Sequence, residues 1–259
     1  MTDDRSDTGQ QLVRLTEQDG VWTLLLDDPE RRNAISRTLQ RQLGEAVSTV
    51  AAADDARALV VGGTGSSFCA GADLPAVFGD TSRSVATLRD DLHTVYGSFL
   101  RLLDLGIPTI AAVQGPAVGA GLNLAMACDV RYVGPRASLA ATFTRIGLHP
   151  GGGCTWFLVR AVGPQRALAL LLDGGSMDAE QAVASGVALS LEEDPLAAAQ
   201  ETARRWAAID PQLVRDVKTS VRTAQTGGFA ASLDFESWAQ ASSATKPQVQ
   251  EVVARFRKP

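Results

Sequence analysis

The chain has 259 residues, 45% of them hydrophobic, and a formal net charge of −5, enough apolar content for one large core and the wrong charge for a nucleic-acid-binding surface. Three cysteines, Cys69, Cys128 and Cys154, lack C-x-x-C or histidine neighbours at ligand spacing, which fits reduced cytosolic thiols and excludes a disulfide framework or a zinc site. The polar stretch Met1 to Gln10 is no signal peptide and no run reaches the roughly 18 apolar residues of a membrane span, so a cytoplasmic protein without membrane or metal is expected.

Gln11 to Leu15 and Val21 to Leu26 flank Asp19-Gly20, a strong hairpin turn signal. Ser36 then opens an amphipathic helix to about Ala52, with Leu39, Leu43, Val47 and Val50 on one face. Ala58 to Val61 reads as a buried strand and Gly62 to Ser67 as a loop, followed by a long helix from about Ser82 to Leu105 and a strand from Pro108 to Val113. Leu122 to Cys128 is apolar nearly all round, the mark of a helix buried in the middle of a fold. Asp129 to Val133 and Ala137 to Ala141 read as short strands, and everything after Gly151 reads as helical.

The most informative feature is a pair of small-residue turns, Phe68-Cys-Ala-Gly-Ala-Asp73-Leu74 and Gly115-Pro-Ala-Val-Gly119-Ala-Gly121. Each follows a strand-like run, where backbone N–H groups are free. Two such donors can hold one oxyanion, and each is worth roughly 2.7–4 kcal/mol where charge develops. Either turn alone is ordinary turn chemistry.

In this order, the two turns stand with Pro29-x-x-x-Asn33-Ala34, Ile110-Ala-Ala-Val-Gln-Gly115, Ala125-x-x-Cys-Asp129, Ile146-Gly-x-x-Pro-Gly151 and the closing Phe256-Arg-Lys-Pro259. Over nearly its whole length the chain resembles the crotonase superfamily, the enoyl-CoA hydratase/isomerase family. The resemblance implies an α/β fold: a crotonase-like spiral of repeated ββα units over residues 1–200, carrying an acyl-CoA site, and a helical oligomerisation region over 201–259. It further implies an acyl-CoA thioester ligand, no cofactor beyond the CoA of the substrate, and a homotrimer or dimer of trimers. Trp206, Phe229, Phe235 and Trp238 are expected to supply apolar surface for assembly.

Carried over residue by residue, the resemblance makes the N–H groups of Ala72 and Ala120 the oxyanion donors. Ala120 would open the buried helix, where amides lack intrahelical partners and the macrodipole is positive. Ala70, Gly71, Asp73 and Leu74 would border the adenine and pantetheine, Gly119 and Gly121 of the second turn would also be substrate-binding, and Arg31 or Arg32 would reach a CoA phosphate. Asp73 reads as a loop-shaping acceptor.

The chain departs from the family at the acid and base. The positions of the two hydratase glutamates hold Asn123 and Phe143. An amide cannot take up a proton and a phenyl ring can do neither job, so syn-hydration by a base on water and an acid for the α-carbon lacks both agents. Gly151 stands where dehalogenase-type relatives carry an aspartate nucleophile. His149, one of two histidines, is the remaining candidate for proton transfer, with a solvent-facing loop residue as the plainer reading. Tyr96 matches a position where some relatives carry a polar active-site residue, though helix packing is the plainer role for it and for His93.

Two functions remain: an enzyme of atypical or weak hydratase chemistry, a lyase or isomerase acting on CoA thioesters, or a non-catalytic acyl-CoA carrier. A dinucleotide-binding oxidoreductase is excluded, because Gly63-Thr-Gly65-Ser-Ser-Phe68 lacks the third glycine and opens no helix.

Overall fold

The computed structural model describes residues 10–256. Met1 to Gly9 and the last three residues of the closing motif, Arg257 to Pro259, lie outside the described residues.

The hairpin β1 (Val13–Gln18) and β2 (Val21–Leu26) closes through Asp19 at φ +52° and Gly20 at φ +77°, the two left-handed residues that match the twist of an antiparallel pair. Ser36 caps α1 (Arg37–Ala52), its side chain accepting from the Leu39 N–H, and Leu39, Leu43, Ala46, Val47 and Val50 turn one buried face inward. Next come β3 (Ala58–Gly63), α2 (Leu74–Phe78), α3 (Val85–Leu100), β4 (Thr109–Val113), β5 (Pro116–Val118) and α4 (Ala120–Ala127). They are followed by β6 (Val130–Val133), β7 (Ser138–Ala140), α5 (Cys154–Leu172), β8 (Ser176–Asp178), α6 (Ala179–Ala184) and β9 (Ser190–Leu191). The chain then runs through α7 (Pro195–Ala207), α8 (Pro211–Thr226), α9 (Phe229–Ala244) and α10 (Pro247–Phe256).

One sheet has the order β1-β2-β3-β4-β6-β9, and a smaller one the order β5-β7-β8. Beyond the hairpin, all neighbours in the large sheet are parallel. Such strands are covered on both faces and read as unbroken apolar runs. In β3, Leu59 and Val61 join the main core with α1, α3 and α4, whereas Ala58 and Val60 join a second cluster with Ala199 and Ala203 of α7.

Several expectations need correction. The stretch after Gly151 is not all helical: β8 and β9 are strands, and β5 converts part of the second small-residue turn into sheet. The long helix from Ser82 to Leu105 is shorter, capped by Ser84 and ending at Leu100 in a 3-10 turn over Arg101–Asp104. The expected boundary at residue 200 falls inside α7, which packs on the sheet. Trp206 belongs with that helix and packs against the second core cluster. The helices with no buried side chain are α8, α9 and α10. Among the described residues no helix is long and apolar enough to cross a membrane, and no three His, Cys, Asp or Glu side chains group to hold a metal ion.

Candidate active site

Two side-chain amides build the first turn. Asn33, fully buried and held at φ +56°, donates through Nδ2 to the carbonyls of Thr64 at 3.0 Å, Ser67 at 2.9 Å and Phe68 at 3.2 Å. Gln114 Nε2 donates to Gly63 O at 2.7 Å and Ser67 O at 2.8 Å. The two amides thus bind carbonyls of the loop from Gly63 to Phe68 that leads into the turn.

The second turn is laced to the first. Cys69 N donates to Pro116 O at 3.1 Å and Val118 N to Cys69 O at 2.9 Å, while Ala70 N reaches Arg32 O and Ile35 N reaches Gly71 O. Gly71, at φ +98°, allows the close approach: a Cβ there would stand 2.6 Å from Val118 O and 3.7 Å from Ala120 N. Gly119, at φ +55° and ψ −112°, donates to Ala140 O and redirects the chain into α4. Among the described residues the N–H groups of Ala72 and Ala120 have no backbone acceptor. Ala120 is the first residue of α4, where an orphan donor and the positive end of the macrodipole coincide.

Around this point the structure gathers three further positions. Phe143 stands on a 3-10 turn (Thr142–Ile146), its ring Cζ 3.7 Å from where a Gly119 Cβ would lie. Asn123, one turn along α4, is 1% exposed and donates through Nδ2 to Gly151 O at 2.8 Å, while its Oδ1 has no partner. Asn123 therefore ties the glycine loop to α4. Tyr96 of α3 brings its hydroxyl to the same loop, against Gly151, with its ring edge against Gly152. Burial raises the phenol pKa, so it remains protonated at neutral pH.

His149 is not brought to this cluster. Its ring is exposed, with Nδ1 2.8 Å from Pro150 O of its own loop. Asp73 caps α2 by accepting from Ala76 N at 3.3 Å and forms an ion pair with Arg31, so that arginine is engaged at the loop mouth. Arg32 is exposed beside it at φ +54°. Leu74 is exposed, and Gly121 packs its backbone on Cys69, whose thiol is pushed up to about 12 by burial and is no nucleophile. Asn33 and Gln114 are builders that the sequence shows only as letters of their motifs: Gln114 adjoins the second glycine-rich turn, whereas Asn33 lies 31 residues from the nearest carbonyl it binds.

A cavity of about 930 Å³ lies elsewhere, among Met126, Trp156, Phe157, Trp206, Leu213 and Val217.

The family model for enoyl-CoA hydratase/isomerase matches residues 16–258. The "Probable enoyl-CoA hydratase EchA14" of Mycobacterium tuberculosis (strain ATCC 25618 / H37Rv) is 44% identical over 227 residues, 86% of this chain and 85% of its own. The 1,2-epoxyphenylacetyl-CoA isomerase of Escherichia coli (strain K12) is 33% identical over 240 residues, 92% of each chain. The crystal structure of an enoyl-CoA hydratase from Bacillus anthracis superposes with a TM-score of 0.86 at 26% identity, covering 96% of each chain. The crotonase-like α/β fold expected from the motifs is the fold of this protein, and the chain belongs to the enoyl-CoA hydratase/isomerase family.

Proposed function

We propose that the chain binds an acyl-CoA thioester with its carbonyl oxygen between the N–H groups of Ala72 and Ala120, and that its chemistry is not hydration by two glutamates. The observation that carries this reading is the pair of N–H groups without backbone acceptors in two turns that abut through Gly71. Preorganised donors of this kind stabilise an enolate or tetrahedral oxyanion. Ala70 to Leu74 would flank the CoA moiety, with Arg32 the freer cation for a phosphate, because Arg31 already pairs with Asp73.

The Asn123 amide is not basic and Phe143 has no titratable group, so neither can replace a general base. The named relatives include both hydratases and an isomerase; isomerisation, thioester hydrolysis or slow hydration would each use the oxyanion donors together with a proton carrier other than Asn123 and Phe143. The same lack of a carboxylate favours a second reading, a carrier that grips the thioester and leaves it intact. The exposed apolar side chains of the C-terminal helices support a homotrimer or pair of trimers, and three buried free thiols suit a cytoplasmic setting.

Ala120→Pro deletes one donor at a helix position that tolerates proline. Titration with crotonyl-CoA should show an affinity loss of about a hundredfold in the proline variant, whereas Ala120→Gly should bind as the parent does. Equal binding by a folded proline variant would remove Ala120 from the site. Mass spectrometry of CoA thioesters incubated with the protein separates an enzyme, which releases a new product, from a carrier, which returns the ligand unchanged.

A further inference from the structure

Gly151 leaves a space that another residue fills. A Cβ on residue 151 would lie 2.3 Å from the Tyr96 hydroxyl oxygen, and one on residue 152 would lie 3.2 Å from the edge of the same ring. The phenol hydroxyl therefore occupies the place where a side chain on residue 151 would begin. Its ring is fixed in that place by an edge-on contact with Phe99, centroids 6.3 Å apart, one turn along α3. Phe99 is fully buried.

Three further observations give the hydroxyl a direction and a neighbourhood. Burial keeps the phenol protonated, so the O–H hydrogen is present to be donated. Among the described residues, no hydrogen bond takes that hydrogen. The other wall of the same space is Asn123, whose Nδ2 would stand 2.6 Å from a Cβ on Gly152. Asn123 lies three residues along α4 from Ala120, a rise of about 4.5 Å, the distance spanned by the first few carbons of an acyl chain whose carbonyl sits at Ala120.

We propose that the Tyr96 hydroxyl donates a hydrogen bond to the acyl group itself, so that the site prefers thioesters whose acyl chain bears an oxygen near its third carbon over plain saturated ones. This rests on the reading that the thioester carbonyl lies at Ala72 and Ala120. Tyr96 is half-buried, and a saturated chain that covers its hydroxyl displaces water and leaves the phenol hydrogen without an acceptor, which is costly. An oxygen-bearing chain satisfies it. Selectivity of this kind follows from built polar groups more than from pocket shape.

The test is calorimetric titration of the full chain with 3-hydroxybutyryl-CoA and butyryl-CoA, probes of equal carbon count. The parent should bind the hydroxy thioester about fivefold to tenfold more tightly. Tyr96→Phe should abolish that preference, weakening the hydroxy thioester and binding butyryl-CoA at least as tightly as the parent does; a tyrosine that merely packs would weaken both probes alike. Gly151→Ala should push the hydroxyl aside and also abolish the preference. In the Tyr96→Phe background, where the nearest atom to the new methyl is Cζ at 3.2 Å, the same alanine should add nothing. Equal affinities for the two probes in the parent, or a preference that survives in Tyr96→Phe, would overturn the role of Tyr96 and leave the thioester reading standing. Failure of both probes to bind, or binding of both that Ala120→Pro leaves untouched, would overturn the thioester reading and this proposal with it.

Discussion

The two small-residue turns and the C-terminal helices are built from similar apolar residues and end in opposite states. Phe68, Cys69, Ala117, Leu122 and Leu124 are inaccessible, and α8, α9 and α10 have no buried side chain among them. Phe229 is 82% exposed and Trp238 74%. The turns complete one another through backbone contacts within a single chain; the helices present surface that a single chain cannot cover. A site made of backbone N–H groups must be rigid to be preorganised, and that rigidity comes from the first region alone. The second region meets the core at two polar points on α8: Lys218 bonds Asp129 Oδ2 at 2.6 Å and Ile107 O at 2.7 Å, and Arg160 donates to Gln225 O at 3.4 Å.

The largest effect expected is from one methyl group in the first region. A Cβ on Gly121 would stand 2.2 Å from Cys69 O and 2.9 Å from Cys69 C, and both partners are backbone, so neither can rotate away. Gly121→Ala should lower stability by about 3 kcal/mol and part the turns that bring Ala72 and Ala120 together. Thermal unfolding and acyl-CoA titration should therefore fail together. A variant with unchanged melting and binding would show that the turns are looser than their contacts imply.

A smaller effect is expected where the two regions meet. The Lys218 side chain is 10% exposed and that of Asp129 34%, so removing the lysine strands a partly solvated carboxylate. Lys218→Met should cost about 1–2 kcal/mol, confined to α8. Limited proteolysis should accelerate within 209–226 while the melting of the core moves little. Cleavage at the parental rate would mean that apolar packing of α8 suffices without the ion pair.

Much of this arrangement could be read from the chain, and the boundary of what could is physical. The Asp19-Gly20 hairpin and α1 are specified locally, by two residues that accept positive φ and by a cap followed by a 3.6-residue period. Strands β8 and β9 are three and two residues long and exist because Ser138–Ala140 and Tyr132–Val133 pair with them; no local period announces such strands. The turns were visible as glycine and alanine spacing, which also located Ala120 at the opening of α4. The partners of the polar side chains were not visible, because Arg31 with Asp73 and Tyr96 with Gly151 are contacts between residues far apart in sequence. His149 looked available by residue type alone, and only its exposure separates it from the cluster around Asn123.

The thiols sharpen the comparison without a mutation. Burial pushes Cys69, Cys128 and Cys154 up to about 12 from an ordinary 9.0. A folded-state pKa raised in this way contributes stability that is complete below pH 9 and declines as pH rises from 9 toward 12, where the unfolded chain loses protons the folded chain keeps. Native protein at pH 8 should react slowly with a thiol reagent and give up all three thiols on denaturation, and its denaturation midpoint should fall between pH 9 and 12. Rapid labelling of any one thiol in the native state would mark a part of the core that opens.

The smallest effect on the core is expected at the far end of the chain. Phe229→Ser with Trp238→Ser removes two large side chains that touch little within one chain, so the melting of an isolated protomer should move by no more than about 0.5 kcal/mol. The same two side chains, if covered by neighbouring copies, would each contribute about 1.5–3 kcal/mol to assembly, which is several decades in association constant for a ring with the contact repeated in every interface. Light scattering at micromolar concentration should therefore show the parent as a multiple of 27.2 kDa and the double variant shifted toward the protomer, with crotonyl-CoA affinity of the protomer retained. A parent already at protomer mass would mean that α9 stands uncovered in solution. A double variant that melts several degrees lower as a protomer would mean that these side chains support the core after all, and the contrast between the two regions would fail at its exposed end.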